Sequence, residues 1–147
     1  MVRFADMFTE LVRLEIELWN GLDAHLVTTA GLTLPQFQAL GAIRANEGAA
    51  RVQDISREMS ITVGATSKVV DRLERAGLAV RTAHPTDRRS SIVSLSDRGA
   101  SALATADDEA ELYLRETLAD VLSDPKAEKL VDALVSLRSR SRVEVGK

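Results

Sequence analysis

Two adjacent arginines, Arg88 and Arg89, follow Asp87 in the run HPTDRRSSIVSLSDRG, which extends from His84 to Gly99. Their natural chemistry is anion contact, because a guanidinium stays charged and carries five N–H donors in a planar fork. The segment AHPTDRRS has the Pro and Asp of a turn, and the flanking runs LAVRT and SIVSL are rich in β-branched and apolar residues. The pair is therefore predicted at the tip of a hairpin. A merely solvated loop is the competing account, and the flanking elements decide between the two. Asp87 reads as a brace, since an aspartate in a turn can bond its own backbone and hold a neighbouring arginine.

The run upstream, VGATSKVVDRLERAG, reads as a helix with Thr62 as its N-cap. Its first two turns carry Gly64, Thr66, Ser67 and Lys68, with Arg72 one turn further on. These residues are small, hydroxyl-bearing or basic, whereas a helix meant only for solvent more often carries Glu and Lys there. Such an N-terminus lets a backbone approach a nucleic-acid groove closely. Thr66 and Ser67 are expected to face base edges, and Lys68 and Arg72 to face phosphates. Arg88 or Arg89 would then reach an adjacent minor groove, where narrow A·T-rich tracts concentrate negative potential.

The elements that must position these residues are mostly helical. A first helix is expected from about residue 4 to 29, with Phe4, Phe8, Leu11, Leu18 and Leu22 near one face and Gly31 ending it. Thr33 is the expected cap of a second, LPQFQALGAIRAN, which buries Leu34, Phe37, Leu40 and Ile43 before Gly48 closes it. VQDISREM gives a helix of about two turns, SIT a tight break, and then comes the helix already described, with Val69, Val70 and Leu73 inward and Gly77 past its end. Two short helices across a tight turn, followed at once by a hairpin, make a winged helix-turn-helix. Ser96 and Asp97 start a long helix to about 121, and Ser123 and Pro125 start a last one with Leu130, Leu134 and Leu137 on one face. The tail SRSRVEVGK is expected to be frayed. The fold class is mainly α with a small β-wing.

Composition excludes more than it assigns. The 147 residues suit one folded unit, and 3% aromatics beside many Ala, Leu and Val favour helices. With no cysteine there is no disulfide, thiol catalysis, thiolate ligation or cysteine-based redox sensing. The two histidines, His25 and His84, stand in no metal-ligand spacing, so neither metal nor cofactor is expected. No apolar run approaches the ~20 residues of a membrane span, and the first residues lack a signal-peptide core, so a soluble, cytoplasmic protein without a membrane partner is expected. The net charge is −3, yet Arg51 to Arg98 holds nine Lys/Arg against six Asp/Glu while the remainder holds ten against sixteen. A positive island of +3 inside an acidic chain points to a polyanionic partner.

The run SITVGATSKVVDRLERAGLAVRTAHPTDRRSSIVSLSDRG resembles the winged helix-turn-helix core of MarR-family transcriptional regulators. The residues that carry the likeness are Asp71-Arg72-Leu73-Glu74, Gly77-Leu78, Asp87-Arg88-Arg89 and Leu95-Ser96-Asp97-Arg98-Gly99, and LTLPQFQAL is similar to the family's second helix. The resemblance implies a homodimer on a pseudo-palindromic operator. Residues 1–31 and 97–147 would form the helical dimerisation region, and residues 32–96 the DNA-binding lobe. It implies that Arg89 enters the minor groove and that Asp71 salt-bridges the wing arginine. It also implies a repressor released by a small aromatic or phenolic effector, bound between the two regions, where Trp19, His25, Phe37 and Tyr113 are candidate lining residues. Read from their residue types alone, Trp19 and Phe37 suit a packed core better than a ligand site, and His25 a simple hydrogen bond.

Two other function classes compete with DNA-binding regulation. A dimeric interaction module that has lost DNA binding fits the helices but not the positive island. A hydrolytic enzyme would need a nucleophile elbow such as G-x-S-x-G, which the chain does not contain. Because there is no thiol to oxidise, DNA binding followed by fluorescence anisotropy should be unchanged by mild peroxide or by chelator. Loss of binding in either reagent would contradict this, unless peroxide loss traces to a methionine.

Overall fold

The computed structural model describes residues 1–144, which form six helices and three short strands. In chain order these are α1 (Phe4–Ala30), α2 (Leu34–Ala45), β1 (Ala49–Arg51), α3 (Val52–Met59), α4 (Val63–Arg75), β2 (Ala79–Ala83), β3 (Ser91–Leu95), α5 (Asp97–Leu118) and α6 (Asp124–Glu144). The chain divides into two compact units, Met1–Glu111 and a second beginning at Leu112. No helix among the described residues is long and apolar enough to cross a membrane.

Within the first unit the core is aliphatic. Leu26, Leu40, Ile43, Ile55, Val70, Leu73, Val93 and Leu103 are essentially inaccessible. α2 lies at its centre and packs against α1, α3 and α4. Thr33 and Gln36 form the capping box that starts α2: Gln36 N–H donates to Thr33 Oγ1 at 3.3 Å, and Thr33 N–H donates to Gln36 Oε1 at 2.9 Å. Asp23 of α1 accepts the Leu34 N–H at 2.7 Å, placing a carboxylate at the positive end of α2. Phe37, expected inside, is only half-buried. His25 of α1 meets Glu109 of α5 at 2.9 Å, and Arg44 of α2 pairs with Asp107. The Asp107 hydrogen bond and charge raise the Arg44 pKa further, against slight desolvation.

Helix ends fall where the punctuation requires. Gly31 adopts φ 67° beyond α1, and Gly77 adopts φ 71° beyond α4. β1 has no counterpart in the sequence pattern. It pairs antiparallel with β3, Ala50 opposite Val93, giving the sheet order β1-β3-β2. Three residues, Ala-Ala-Arg, carry no strand signal of their own, and the pairing with β3 creates the strand. In the second unit Arg115 pairs with Asp124 at 3.3 Å, joining the end of α5 to the start of α6. α6 continues to Glu144, so much of the tail expected to fray is helical; residues 145–147 of that tail lie outside the described residues.

The turn from the wing into α5 explains the spacing Leu-Ser-x-x-Gly. Ser96 Oγ donates to the Gly77 carbonyl at 2.6 Å and accepts the Gly99 N–H at 3.0 Å, while Ser96 N–H donates to the Leu78 carbonyl at 3.1 Å. A Cβ at Gly99 would lie 1.8 Å from the Leu78 oxygen, so only glycine lets the first turn of α5 approach this closely. Gly99→Ala should therefore destabilise the protein by about 3 kcal/mol in urea melts. Gly41→Ala, in the interior of α2 with nothing within 4 Å of the new methyl, should stabilise it by about 0.5–1 kcal/mol. Equal melts for the two variants would contradict this account of the junction.

Candidate nucleic-acid interface

α4 is amphipathic in a way that sorts the candidate residues. Thr66, Val69, Val70 and Leu73 recur at helical spacing and are buried. Gly64, Ala65, Lys68, Arg72 and Arg75 lie on the other side, at least partly exposed, and Ser67 is half-buried between them. Thr62 caps the helix, accepting the Ala65 N–H at 3.2 Å. Thr66 is thus misplaced by the expectation that it faces bases. It has no exposure, and its hydroxyl donates to the Thr62 carbonyl at 2.8 Å. The interval from Thr66 to Val69, Val70 and Leu73 is the signal that places it inside, and that interval outweighs the chemistry of the hydroxyl.

The hairpin of β2 and β3 is the wing, with Arg81 opposite Val93 and Ala83 opposite Ser91. Its tip closes through His84 N–H donating to the Ser90 carbonyl at 3.2 Å. Asp87 Oδ1 accepts the Arg89 N–H at 3.0 Å, and the Asp87 carbonyl accepts the Ser90 N–H at 3.1 Å. Asp87 therefore organises the main chain under the arginines; among the described residues it makes no ion pair with a guanidinium. Arg88 and Arg89 are both exposed. His84 is half-buried, its Nδ1 lying 3.2 and 3.1 Å from the main-chain nitrogens of Thr86 and Asp87.

Asp71 has a different partner from the one the resemblance implied. Arg81 of β2, not Arg89, donates to Asp71 Oδ1 at 3.0 Å. Arg81 Nε also lies 3.1 Å from Glu74 Oε1, close enough for charge attraction but without hydrogen-bond alignment. One arginine is held by two acids a turn apart on α4. A cleft of about 250 Å³ opens beside it, lined by Val63 and Ser67 of α4, Arg81, Arg89 and Ser91 of the wing, and Arg51 at the end of β1. Neither Arg51 nor Arg81 stands out in the sequence, because each reaches the cleft only through strand pairing. The site joins N–H donors, hydroxyls and three arginines on one face, a combination suited to phosphate and base-edge contacts.

A family model described as MarR family matches residues 30–90. The uncharacterized HTH-type transcriptional regulator YfiV of Bacillus subtilis strain 168 is 28% identical over 138 residues, covering 86% of this chain and 84% of that one. Among solved structures, Sco3205, a MarR-family transcriptional regulator from Streptomyces coelicolor in complex with DNA, superposes with a TM-score of 0.81 at 21% identity, covering 90% of this chain and 84% of that one. CouR from Rhodococcus jostii RHA1, bound to p-coumaroyl-CoA, gives 0.79 at 21% identity, covering 90% and 91%. The helix-turn-helix and wing segment of the chain is thus similar to the MarR family, and the fold is that of its solved members.

The candidate effector residues fall on different elements. Trp19 is exposed on α1 and lines a shallow depression with Glu15, Ile16 and Asn20, all of the same helix. His25 and Phe37 are half-buried in the first unit, and Tyr113 belongs to the second. Among the described residues no group of three or more acids and histidines could hold a metal ion.

Thr66→Val keeps the shape of the buried side chain and deletes its hydroxyl. It should cost about 1 kcal/mol in stability and leave base preference unchanged in selection from random DNA, whereas Ser67→Ala should alter that preference. A changed preference in Thr66→Val would contradict the burial argument.

Proposed function

We propose that this chain is a MarR-family transcriptional regulator that binds a pseudo-palindromic operator as a homodimer and represses until a small aromatic or phenolic ligand releases it. The observation that carries the reading is the shared cleft of α4 and the wing, with exposed Arg88 and Arg89 at the hairpin tip. In this reading Gly64 and Ser67 lie against base edges, Thr62, Lys68 and Arg72 serve phosphates, and Arg89 enters the minor groove with Arg88 at its rim. Asp87 and Asp71 are bracing residues, acting through the wing turn and through Arg81. The solved complex of Sco3205 with DNA supports the nucleic-acid partner.

Dimerisation is supported by unpartnered apolar faces. Phe4, Met7, Phe8, Leu11 and Val12 recur every three or four residues along α1, and Phe4 and Phe8 are 80% and 66% exposed. Leu130, Val131, Leu134 and Val135 do the same on α6. Stripes of this kind are covered by a partner in a stable protein. We therefore assign residues 1–31 and 97–147 to a dimerisation region and 32–96 to the DNA-binding lobe. CouR bound to p-coumaroyl-CoA supports an aromatic effector, with Trp19, His25 and Phe37 of the first unit as its candidate contacts. A cytoplasmic location follows from this role. The likeness to HTH-type transcriptional regulators supports regulation over enzymatic activity.

Sedimentation at micromolar concentration should give a dimer, and a monomer would contradict the assignment. With a duplex selected from random DNA, anisotropy at fixed salt should show weaker binding for Arg89→Ala and partial recovery in Arg89→Lys, whose ammonium is more strongly hydrated. Asp87→Ala makes the wing more positive, yet it should weaken binding because the Arg89 main chain must then be ordered on contact. Tighter binding by Asp87→Ala would reject the brace.

A further inference from the structure

Three arginines line the cleft, but their charges are not equally available. Arg81 is compensated by Asp71 and Glu74. Arg89 stands at the wing tip with its main chain fixed by Asp87. Arg51 comes from outside both α4 and the hairpin, at the end of β1, where it pairs with Ile92 of β3. Its main-chain N–H is taken by Asp54 at 3.0 Å, which fixes the residue's backbone at the start of α3. Its guanidinium has no carboxylate within ion-pair distance among the described residues. Instead one terminal nitrogen lies 2.7 Å from His84 Nε2, across from β1 to the base of the wing tip. Both residues are half-buried, so the contact is sheltered, while the remaining guanidinium N–H groups stay available to the cleft.

We propose that Arg51 is a phosphate-contacting residue of this interface and that His84 is its positioning residue. The inference rests on the reading of the α4–wing face as a DNA-binding surface. A neutral imidazole has one acceptor nitrogen. With the proton on Nδ1, Nε2 accepts from Arg51, and the Thr86 and Asp87 N–H groups, at an exposed tip, turn to water. With the proton on Nε2, the ring serves the wing turn and releases Arg51. One ring thus couples the stance of a cation on β1 to the order of the turn that carries Arg88 and Arg89. An uncompensated arginine held by a neutral partner matches a phosphodiester oxygen, which supplies the missing negative charge.

The test uses the full chain and a fluorescein-labelled mixed-sequence duplex, because phosphate contacts do not depend on sequence. Binding is measured across a salt series for wild type, Arg51→Gln, His84→Asn, the double variant and Arg89→Ala. Arg51→Gln keeps a polar side chain and removes the charge, and the salt slope should fall by about 0.9 for each phosphate that the variant no longer neutralises. In His84→Asn the amide oxygen can still accept the turn's N–H groups, but nothing reaches Arg51. Affinity should then fall about twofold to tenfold for each protomer at unchanged slope, the cost of ordering one free arginine. The double variant should bind no more weakly than Arg51→Gln alone. An unchanged slope in Arg51→Gln beside a reduced one in Arg89→Ala would overturn the inference and leave the DNA-binding reading standing. Wild-type affinity in His84→Asn, or an additive double variant, would reduce His84 to a support of the turn and overturn its positioning role. No binding by the wild type would overturn both readings.

Discussion

Arg81 joins the two halves of the interface. It leaves the wing strand β2 and meets Asp71 at 3.0 Å and Glu74 at 3.1 Å, both on α4. The three side chains are between about a third and a half exposed, so solvent screens the attraction, and the net gain is at most about 1 kcal/mol. Its value is alignment. α4 packs against β2, and the ion pairs hold helix and hairpin at one angle, which fixes the walls of the cleft between them. The same pairing cancels the charge of Arg81, leaving Arg51 and Arg89 to set the cleft's positive potential.

The far end of the wing is fixed by a different kind of force. Gly99 admits the Leu78 carbonyl where any side chain would collide, and Ser96 binds the main chain on both sides of the junction. Van der Waals exclusion acts here without regard to salt, while the Arg81 pairs weaken as salt rises. The wing is therefore anchored firmly where it enters α5 and more softly where it faces α4. The tip depends on neither, since Asp87 organises it through the main-chain N–H groups of Arg89 and Ser90.

Local signals in the sequence carry most of the architecture. Thr33 and Thr62 announce helix starts, Gly31 and Gly77 announce ends, and the β-branched runs around HPTDRRS announce the hairpin, because caps and turns are decided within four or five residues. Features that depend on distant partners are not legible there. β1 exists only through pairing with β3, and without that strand nothing draws attention to Arg51. Asp71, expected beside Arg89, meets Arg81, since strand register, not proximity in sequence, selects which arginine faces α4. Thr66 is the instructive case. Its chemistry suggests a reader of bases, but its spacing places it in the core, and burial is settled by spacing.

The central claim is that the α4–wing face reads DNA as one of a symmetric pair. Hydroxyl-radical footprinting of the protein on a duplex recovered by selection from random DNA tests it most directly. Two equivalent protected patches, related by two-fold symmetry with centres about 10 base pairs or a multiple of that apart, are predicted. A single patch, or no sequence enriched by the selection, would contradict the account.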